Sequence, residues 1–299
     1  MKRKIIDDEF ISLLESRDLQ IESAFNGLFG GNRRTNAYGS SAEFADYREY
    51  TQGDDLRRVD WNLYARFEKI YLKLYRDERQ LHHRIYLDAS ASMDWGKPVK
   101  ATAALKIAAA LGFLSIRALD RVSYYALHEK QCHAICPAVC GRDAFYAAVN
   151  RLNDLKFYKE TDFAAAFADE EHLGKDDGLS ILISDLLTDS DWMGAVDRML
   201  YQGRQVYLIQ ILSRDEITPS MSGKVLMLDS ESVDEEDDKN MRYEITRSSV
   251  KAYEQALLYH QKQIKDFCGA RGVGFITLCS DLPLEQMLFI NATEVGLIQ

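Results

Sequence analysis

The stretch that decides the fold is His82-His83-Arg84-Ile85-Tyr86-Leu87-Asp88-Ala89-Ser90-Ala91-Ser92-Met93. Residues 85–88 form a short apolar run ending in a carboxylate, which predicts a buried strand. Two serines follow the carboxylate at alternate positions, giving D-x-S-x-S. Residues 99–119 then predict a helix whose buried face carries small residues: Ala101, Ala104, Ala108 and Gly112. Small residues there allow close packing on a sheet. A strand, a polar turn and a helix are the first beats of an α/β fold.

The same rhythm continues toward the C-terminus. Residues 121–127 and 132–139 predict strands, and 143–152 and 162–172 predict helices. The run 179–184, LSILIS, reads as an apolar strand and so belongs mid-sheet with both faces covered. A helix over 190–202 leads to another buried strand over 205–212. Residues 224–229 and 241–246 flank DSESVDEEDDKN and predict a β-hairpin with an acidic tip, whose charge discourages edge pairing. A long amphipathic helix spans 248–271, with Val250, Tyr253, Leu257, Ile264 and Phe267 on one stripe. Residues 273–279 are the last predicted strand, and 281–289 a short helix. The expectation is an α/β, doubly wound, mostly parallel sheet over 82–299. In such sheets ligands bind beyond the carboxyl ends of the strands.

Toward the N-terminus the text changes. Residues 7–26 predict a helix with Phe10, Leu13, Leu14, Ile21 and Phe25 near one face, stopped by Gly30-Gly31-Asn32. Residues 37–81 are rich in Tyr, Arg and Asp. Within them 70–75 alternates as a strand, so a small β-containing lobe is expected. The chain thus divides into a helical segment over 1–36, the lobe over 37–81, and the α/β domain over 82–299.

Composition narrows the function. The chain has 299 residues, with 37 Lys and Arg against 47 Asp and Glu, a formal charge of −10. Such a chain repels phosphate, which argues against nucleic acid and anionic lipid as partners. No stretch approaches the ~18 consecutive apolar residues of a membrane span. The opening MKRKIIDDEF turns acidic too early for a secretory signal. Five cysteines in a chain without such a signal read as reduced, cytoplasmic thiols. Cys132, Cys136 and Cys140 lack the spacing of a zinc knuckle and read as buried thiols. No phosphate-binding or dinucleotide glycine motif is present, so any energy input comes from a partner.

The chemistry therefore lies at the strand ends. Asp88, Ser90 and Ser92 offer hard oxygen donors, suited to Mg²⁺ and poor for Zn²⁺. They cannot fill six positions alone. Thr161, at the start of a predicted helix, and Asp185, at the end of LSILIS, are placed to help. A turn with a helix cap is the alternative reading of D-x-S-x-S, because Ser and Asp favour caps. A metal-assisted hydrolase is a further alternative, since bound Mg²⁺ can activate water.

This constellation resembles the von Willebrand factor A fold with its metal-ion-dependent adhesion site. The resemblance implies one Mg²⁺ or Mn²⁺ surrounded by Asp88, Ser90, Ser92, Thr161 and Asp185. It implies that the hydroxyls bind directly and the aspartates often through water, with an open position for an Asp or Glu of a partner protein. Relatives often carry small residues before the threonine, where this chain has Lys159-Glu160. Upstream, Arg48-Glu49-Tyr50-x-x-Gly53-Asp54-Asp55-x-Arg57-Arg58-Val59-Asp60-Trp61 resembles the signature of the bacterial domain-of-unknown-function 58 family. Members of that family are frequently encoded beside a MoxR-type AAA+ ATPase, which implies a partner and a role in complex assembly or chaperone-like remodelling. In its own right, the string predicts a turn at Gly53-Asp54-Asp55. It also predicts ion pairs of Arg48, Arg57 and Arg58 with Asp54, Asp55 or Asp60, and a ring of Trp61 buried to anchor the lobe. The expected function is a non-enzymatic, divalent-metal-dependent protein–protein interaction module. The alternatives are a metal-dependent hydrolase and a scaffold with a vestigial metal site.

Overall fold

The computed structural model describes residues 5–16, 44–75, 80–175, 178–219, 223–227, 241–283 and 286. The chain forms two compact units, one over 29–80 and one over 1–28 with 81–299.

The larger unit is built on six strands: β3 (His82–Asp88), β4 (Arg121–His128), β5 (Gln131–Val139), β6 (Leu179–Ser184), β7 (Gln205–Leu212) and β10 (Gly274–Cys279). Their order is β10-β7-β6-β3-β4-β5. All neighbours are parallel except β5, which runs antiparallel to β4. The chain starts at the centre with β3, builds outward through β4 and β5, then crosses back to β6. This is doubly wound order, and its reversal falls between β3 and β6. The expected fold class is the observed one. β3 begins three residues earlier than the apolar run suggests. His82 and His83 extend the parallel register against Arg121 and Val122, and the His83 ring bonds to Asp120 and to the Leu179 amide.

Both faces of the sheet are covered. On one, helix α3 (Lys100–Arg117) lies over β3, β4, β6 and β7, and α4 (Arg142–Asn153) packs on β5. Gly112 in α3 is required by a close approach: a Cβ there would stand 1.6 Å from the Tyr124 hydroxyl of β4. On the other face, Tyr86, Leu182 and Leu208 pack with Phe163 of α5 (Phe163–Ala166), Val196 of α6 (Trp192–Tyr201) and Ile264 of α8 (Arg247–Arg271). Helix α8 buries only Leu257, Ile264 and Cys268, and the predicted stripe thins at Tyr253, which is 39% exposed.

The helix expected over 162–172 is broken. After α5, the Asp169 side chain accepts the Glu171 amide and starts a separate 3₁₀ turn, Glu170–His172. An aspartate that captures a nearby amide competes with helix continuation. The short α7 (Arg214–Ile217) follows β7, closed by a capping box between Ser213 and Glu216. Strands β8 (Gly223–Met227) and β9 (Met241–Ile245) pair antiparallel as the predicted hairpin. Its acidic tip lies outside the described residues, as does most of the helix expected over 281–289. Helix α1 (Asp8–Ser16) belongs to this unit. Asn153 of α4 accepts the Ile5 and Ile6 amides at 3.0 and 2.9 Å and donates to the Ile6 carbonyl at 2.9 Å. The remainder of the helix predicted over 7–26, and its Gly30-Gly31 stop, fall outside the described residues.

In the smaller unit, β1 (Phe44–Glu49) pairs antiparallel with β2 (Tyr71–Tyr75). A 3₁₀ turn, Leu56–Arg58, precedes helix α2 (Trp61–Phe67). Arg48 pairs with Asp54 at 2.7 Å, as expected. Hydrogen bonds from Thr51, and then Arg48, hold the Asp54 carboxyl below the usual carboxylate range. Asp60 caps α2 by accepting the Asn62 and Leu63 amides, accepts from the Tyr47 hydroxyl, and pairs with Lys73. Arg57 and Arg58 pair with none of Asp54, Asp55 and Asp60; Asp55 instead caps the 3₁₀ turn at the Arg57 amide. Trp61 is 61% exposed, so it does not anchor the lobe by burial. Its place at the first turn of a seven-residue helix with no buried residue explains the difference.

Candidate metal site

β3 and β6 end side by side at the point where strand order reverses, and they deliver Asp88 and Ser184-Asp185 to the same carboxyl edge. Asp88 is buried, and its carboxylate is fully engaged. One oxygen accepts the Ser90 amide at 3.1 Å and the Thr161 hydroxyl at 2.8 Å; the other accepts the Ser184 hydroxyl at 2.6 Å. Burial, then the charge of Asp185, pushes the Asp88 carboxyl above its ordinary value, against the pull of these three bonds.

The turn after β3 separates two readings of D-x-S-x-S. Ser90 occupies the N-cap position of the 3₁₀ turn Ala91–Asp94, yet its side chain makes no capping bond. Its hydroxyl faces that of Ser92 at 3.0 Å instead. A cap role therefore does not account for this pair.

Thr161 reaches the site because its loop is pinned from two sides. The Ala91 amide donates to the Lys159 carbonyl at 2.7 Å. The Glu129 amide donates to Glu160, and the Asp162 amide returns the bond to Glu129. Lys159, Glu129 and Leu186 all have positive φ, between 49° and 58°. For side chains other than glycine this is a strained backbone region, and such residues gather where loops are held in a functional shape. Lys159 and Glu129 also pair at 2.6 Å, so the bulky residues before Thr161 are accommodated on the surface.

Asp185 is buried but bonds directly to none of the other four predicted residues. One of its oxygens accepts the Leu187 amide at 3.2 Å, and the other accepts from the Lys100 ammonium at 2.6 Å. Lys100, at the first turn of α3, is completely buried and also reaches Glu216 at 2.6 Å. Burial alone would push the Lys100 ammonium down; the charges of Asp185 and Glu216 outweigh it and raise it. Asp185 and Glu216 thus share one ammonium, and Asp88 stands near Asp185 as a further acid.

These residues suit a divalent ion. No group of three His, Cys, Asp or Glu side chains among the described residues is arranged to hold a metal, so an ion here would depend on hydroxyl oxygens. Mg²⁺ takes oxygens at about 2.0–2.1 Å in an octahedron, whose adjacent oxygens are about 2.9 Å apart. The Ser90 and Ser92 hydroxyls, hydrogen-bonded at 3.0 Å, are close enough for both oxygens to reach one ion. An open crevice beside the site is lined by Glu129, Lys130, Lys159, Asp162, Asp189 and Ser190.

The family model for "Protein of unknown function DUF58" matches residues 46–263. The chain belongs to this family. Among curated relatives, the DUF58 chain is 26% identical over 238 residues to uncharacterized protein Rv1480 of Mycobacterium tuberculosis, covering 78% of this chain and 74% of the relative. Among solved structures it is similar to BatB from Bacteroides thetaiotaomicron (TM-score 0.41, 10% identity, 72% of this chain and 98% of that one). It is also similar to the SpRpn10 VWA domain (TM-score 0.38, 10% identity, 70% and 94%). Among the described residues of the DUF58 chain, no helix is long and apolar enough to cross a membrane.

Sequence reasoning missed three residues here. Ser184 sits inside a run read only for its hydrophobicity. Glu216 is announced by the Ser213-x-x-Glu216 capping box. Lys100 had a signal too: a cation in the first turn of a helix opposes the helix dipole and demands carboxylates nearby.

Proposed function

We propose that this chain is a divalent-metal-dependent protein-interaction module that performs no catalysis itself. Ser90, Ser92 and Thr161 would offer hydroxyls to Mg²⁺ or Mn²⁺, with Asp88 and Asp185 supplying charge beside them. An ion held largely by neutral oxygens keeps excess positive charge and attracts a carboxylate into an open position. Asp88 orients the Thr161 hydroxyl and the Ser90 backbone, and Ser184 fixes Asp88. A fitting partner presents an Asp or Glu to the site and basic groups to the acid-rich crevice beside it. The partner implied by the family resemblance is a MoxR-type AAA+ ATPase, in complex assembly or chaperone-like remodelling.

The observation that carries this reading is that the Ser90 and Ser92 hydroxyls, the first of which makes no capping bond, face each other at the strand ends that carry the buried carboxylates Asp88 and Asp185. The test is capture of the MoxR-type ATPase of the same genome by the full chain, in Mg²⁺ and in EDTA, with wild type and Ser90→Ala. Retention by wild type in Mg²⁺ alone is expected. Equal retention in all four conditions contradicts it. That result would favour the scaffold reading, for which the Lys100–Asp185 pair speaks, because an ammonium already stands beside one of the acids.

A further inference from the structure

The proposed function gives no role to Lys100, a charged group at this edge. Its ammonium is 2.6 Å from Asp185 and 2.6 Å from Glu216, and the side chain is 1% exposed. It lies in the first turn of α3, only a few residues beyond the 3₁₀ turn that carries Ser92, where the helix dipole disfavours a cation. Asp185 ends β6, and Glu216 lies on α7 beyond β7. The ammonium therefore joins three elements at the mouth of the sheet.

We infer that Lys100 is an internal competitor for the divalent ion: its ammonium claims Asp185, keeps metal affinity low, and makes that affinity depend on Glu216. This inference rests on reading Asp88, Ser90, Ser92 and Thr161 as a divalent-ion site. Asp185 has two oxygens. The ammonium takes one and the Leu187 amide holds the other. An incoming ion must share Asp185 with a fixed positive charge. Glu216 relieves that repulsion by drawing part of the ammonium's charge toward itself. Loss of Lys100 leaves buried Asp185 and half-buried Glu216 without the cation they share, a charge that an ion at the adjacent hydroxyls would then offset. Loss of the Glu216 charge has the opposite effect, because the whole ammonium then acts on Asp185.

The probe is Mn²⁺ alone, titrated into the full chain and read by electron paramagnetic resonance of the free ion. Wild type, Lys100→Met, Glu216→Gln and Ser90→Ala are compared. Lys100→Met should bind Mn²⁺ at least about tenfold more tightly than wild type, the least expected when a unit positive charge is removed from beside a partly screened ion. Glu216→Gln should bind it more weakly than wild type. Should Lys100→Met fold only in Mn²⁺, that dependence supports the inference directly. Should it not fold at all, the double variant Lys100→Gln/Glu216→Gln keeps a hydrogen-bonding side chain at both positions, and it should bind more tightly than Glu216→Gln alone. Equal or weaker Mn²⁺ binding in the Lys100 variants overturns the inference. If wild type binds and Ser90→Ala does not, the metal-site reading stands whatever Lys100 does. If no form binds Mn²⁺, both readings fall together.

Discussion

At the amino ends of β3 and β6, Arg204 donates to the His82 and Leu179 carbonyls at 2.6 and 2.7 Å and to the Ser180 hydroxyl at 3.1 Å. Beside it, His83 accepts the Leu179 amide on Nδ1 and so donates from Nε2 to Asp120, which also accepts the Leu81 amide. At the carboxyl ends of the same two strands, Asp88 and Asp185 approach as like charges, Asp185 and Glu216 share Lys100, and two serine hydroxyls bond to each other. Both ends bury polar groups. The amino end spends them on neighbouring backbones, strand to strand, as staples. The carboxyl end gathers more negative charge than its own cation balances. Burial of polar groups is thus no mark of function by itself; the unbalanced cluster is the informative one.

The sharpest way to break this contrast is Lys100→Met in EDTA. Removing one partner of a buried ion pair costs about 3–5 kcal/mol. The thermal midpoint should fall steeply and recover in Mn²⁺. A small loss, unaffected by Mn²⁺, would place Lys100 among the staples.

Asp120→Ala addresses the other end. It removes the carboxylate to which the His83 Nε2 and the Leu81 amide donate, at about 1–3 kcal/mol each. Chemical denaturation should show the same loss in Mn²⁺ and in EDTA, because Asp120 lies at the opposite ends of the strands from Asp88, Ser90 and Ser92. A loss that Mn²⁺ reverses would erase the distinction between the two ends.

A pH series sharpens the contrast further. The Asp88 carboxyl is raised in the folded chain, so the folded state takes up its proton before the unfolded state does. Stability contributed at Asp88 therefore grows as pH falls from above the raised value toward the unfolded value of about 3.9, and is level below it. In EDTA, wild type should gain on Asp88→Asn as pH falls through that window. A constant difference would mean that neither burial nor the charge of Asp185 raises the Asp88 carboxyl in the folded chain.

The smallest effect belongs to the apolar middle of the sheet. The Tyr124 hydroxyl is buried above Gly112 and has no hydrogen-bond partner among the described residues. Tyr124→Phe should leave stability unchanged or raise it by about 1 kcal/mol, since a buried unpaired hydroxyl is a cost. A clear loss in calorimetry would point to a bond that the arrangement does not contain.

Much of this was legible along the chain, because its causes are local. The apolar runs of β3 and β6 and the spacing of Asp88, Ser90 and Ser92 sit within a few residues of one another. Thr161 was singled out from its place before a helix, although that helix ends at Ala166 and a separate 3₁₀ turn capped by Asp169 follows. What escaped has distant causes. Lys100 and Glu216 are 116 residues apart, and only the order of β3, β6 and β7 brings them together. Ser184 acts on a carboxylate 96 residues away, through a strand whose pattern reads as pure core. Trp61 misled for the converse reason: a large ring suggests burial, but its short helix has no buried face in which to place it.

The central claim, that Ser90 and Ser92 at the β3–β6 switch point hold a divalent ion, is tested most directly by counting Mn²⁺ bound to the full chain. Wild type should bind one ion per chain, and Ser90→Ala/Ser92→Ala should bind none while melting near the wild-type temperature in EDTA. Wild type that binds no Mn²⁺, or a double variant that binds as much of it as wild type, would contradict the account.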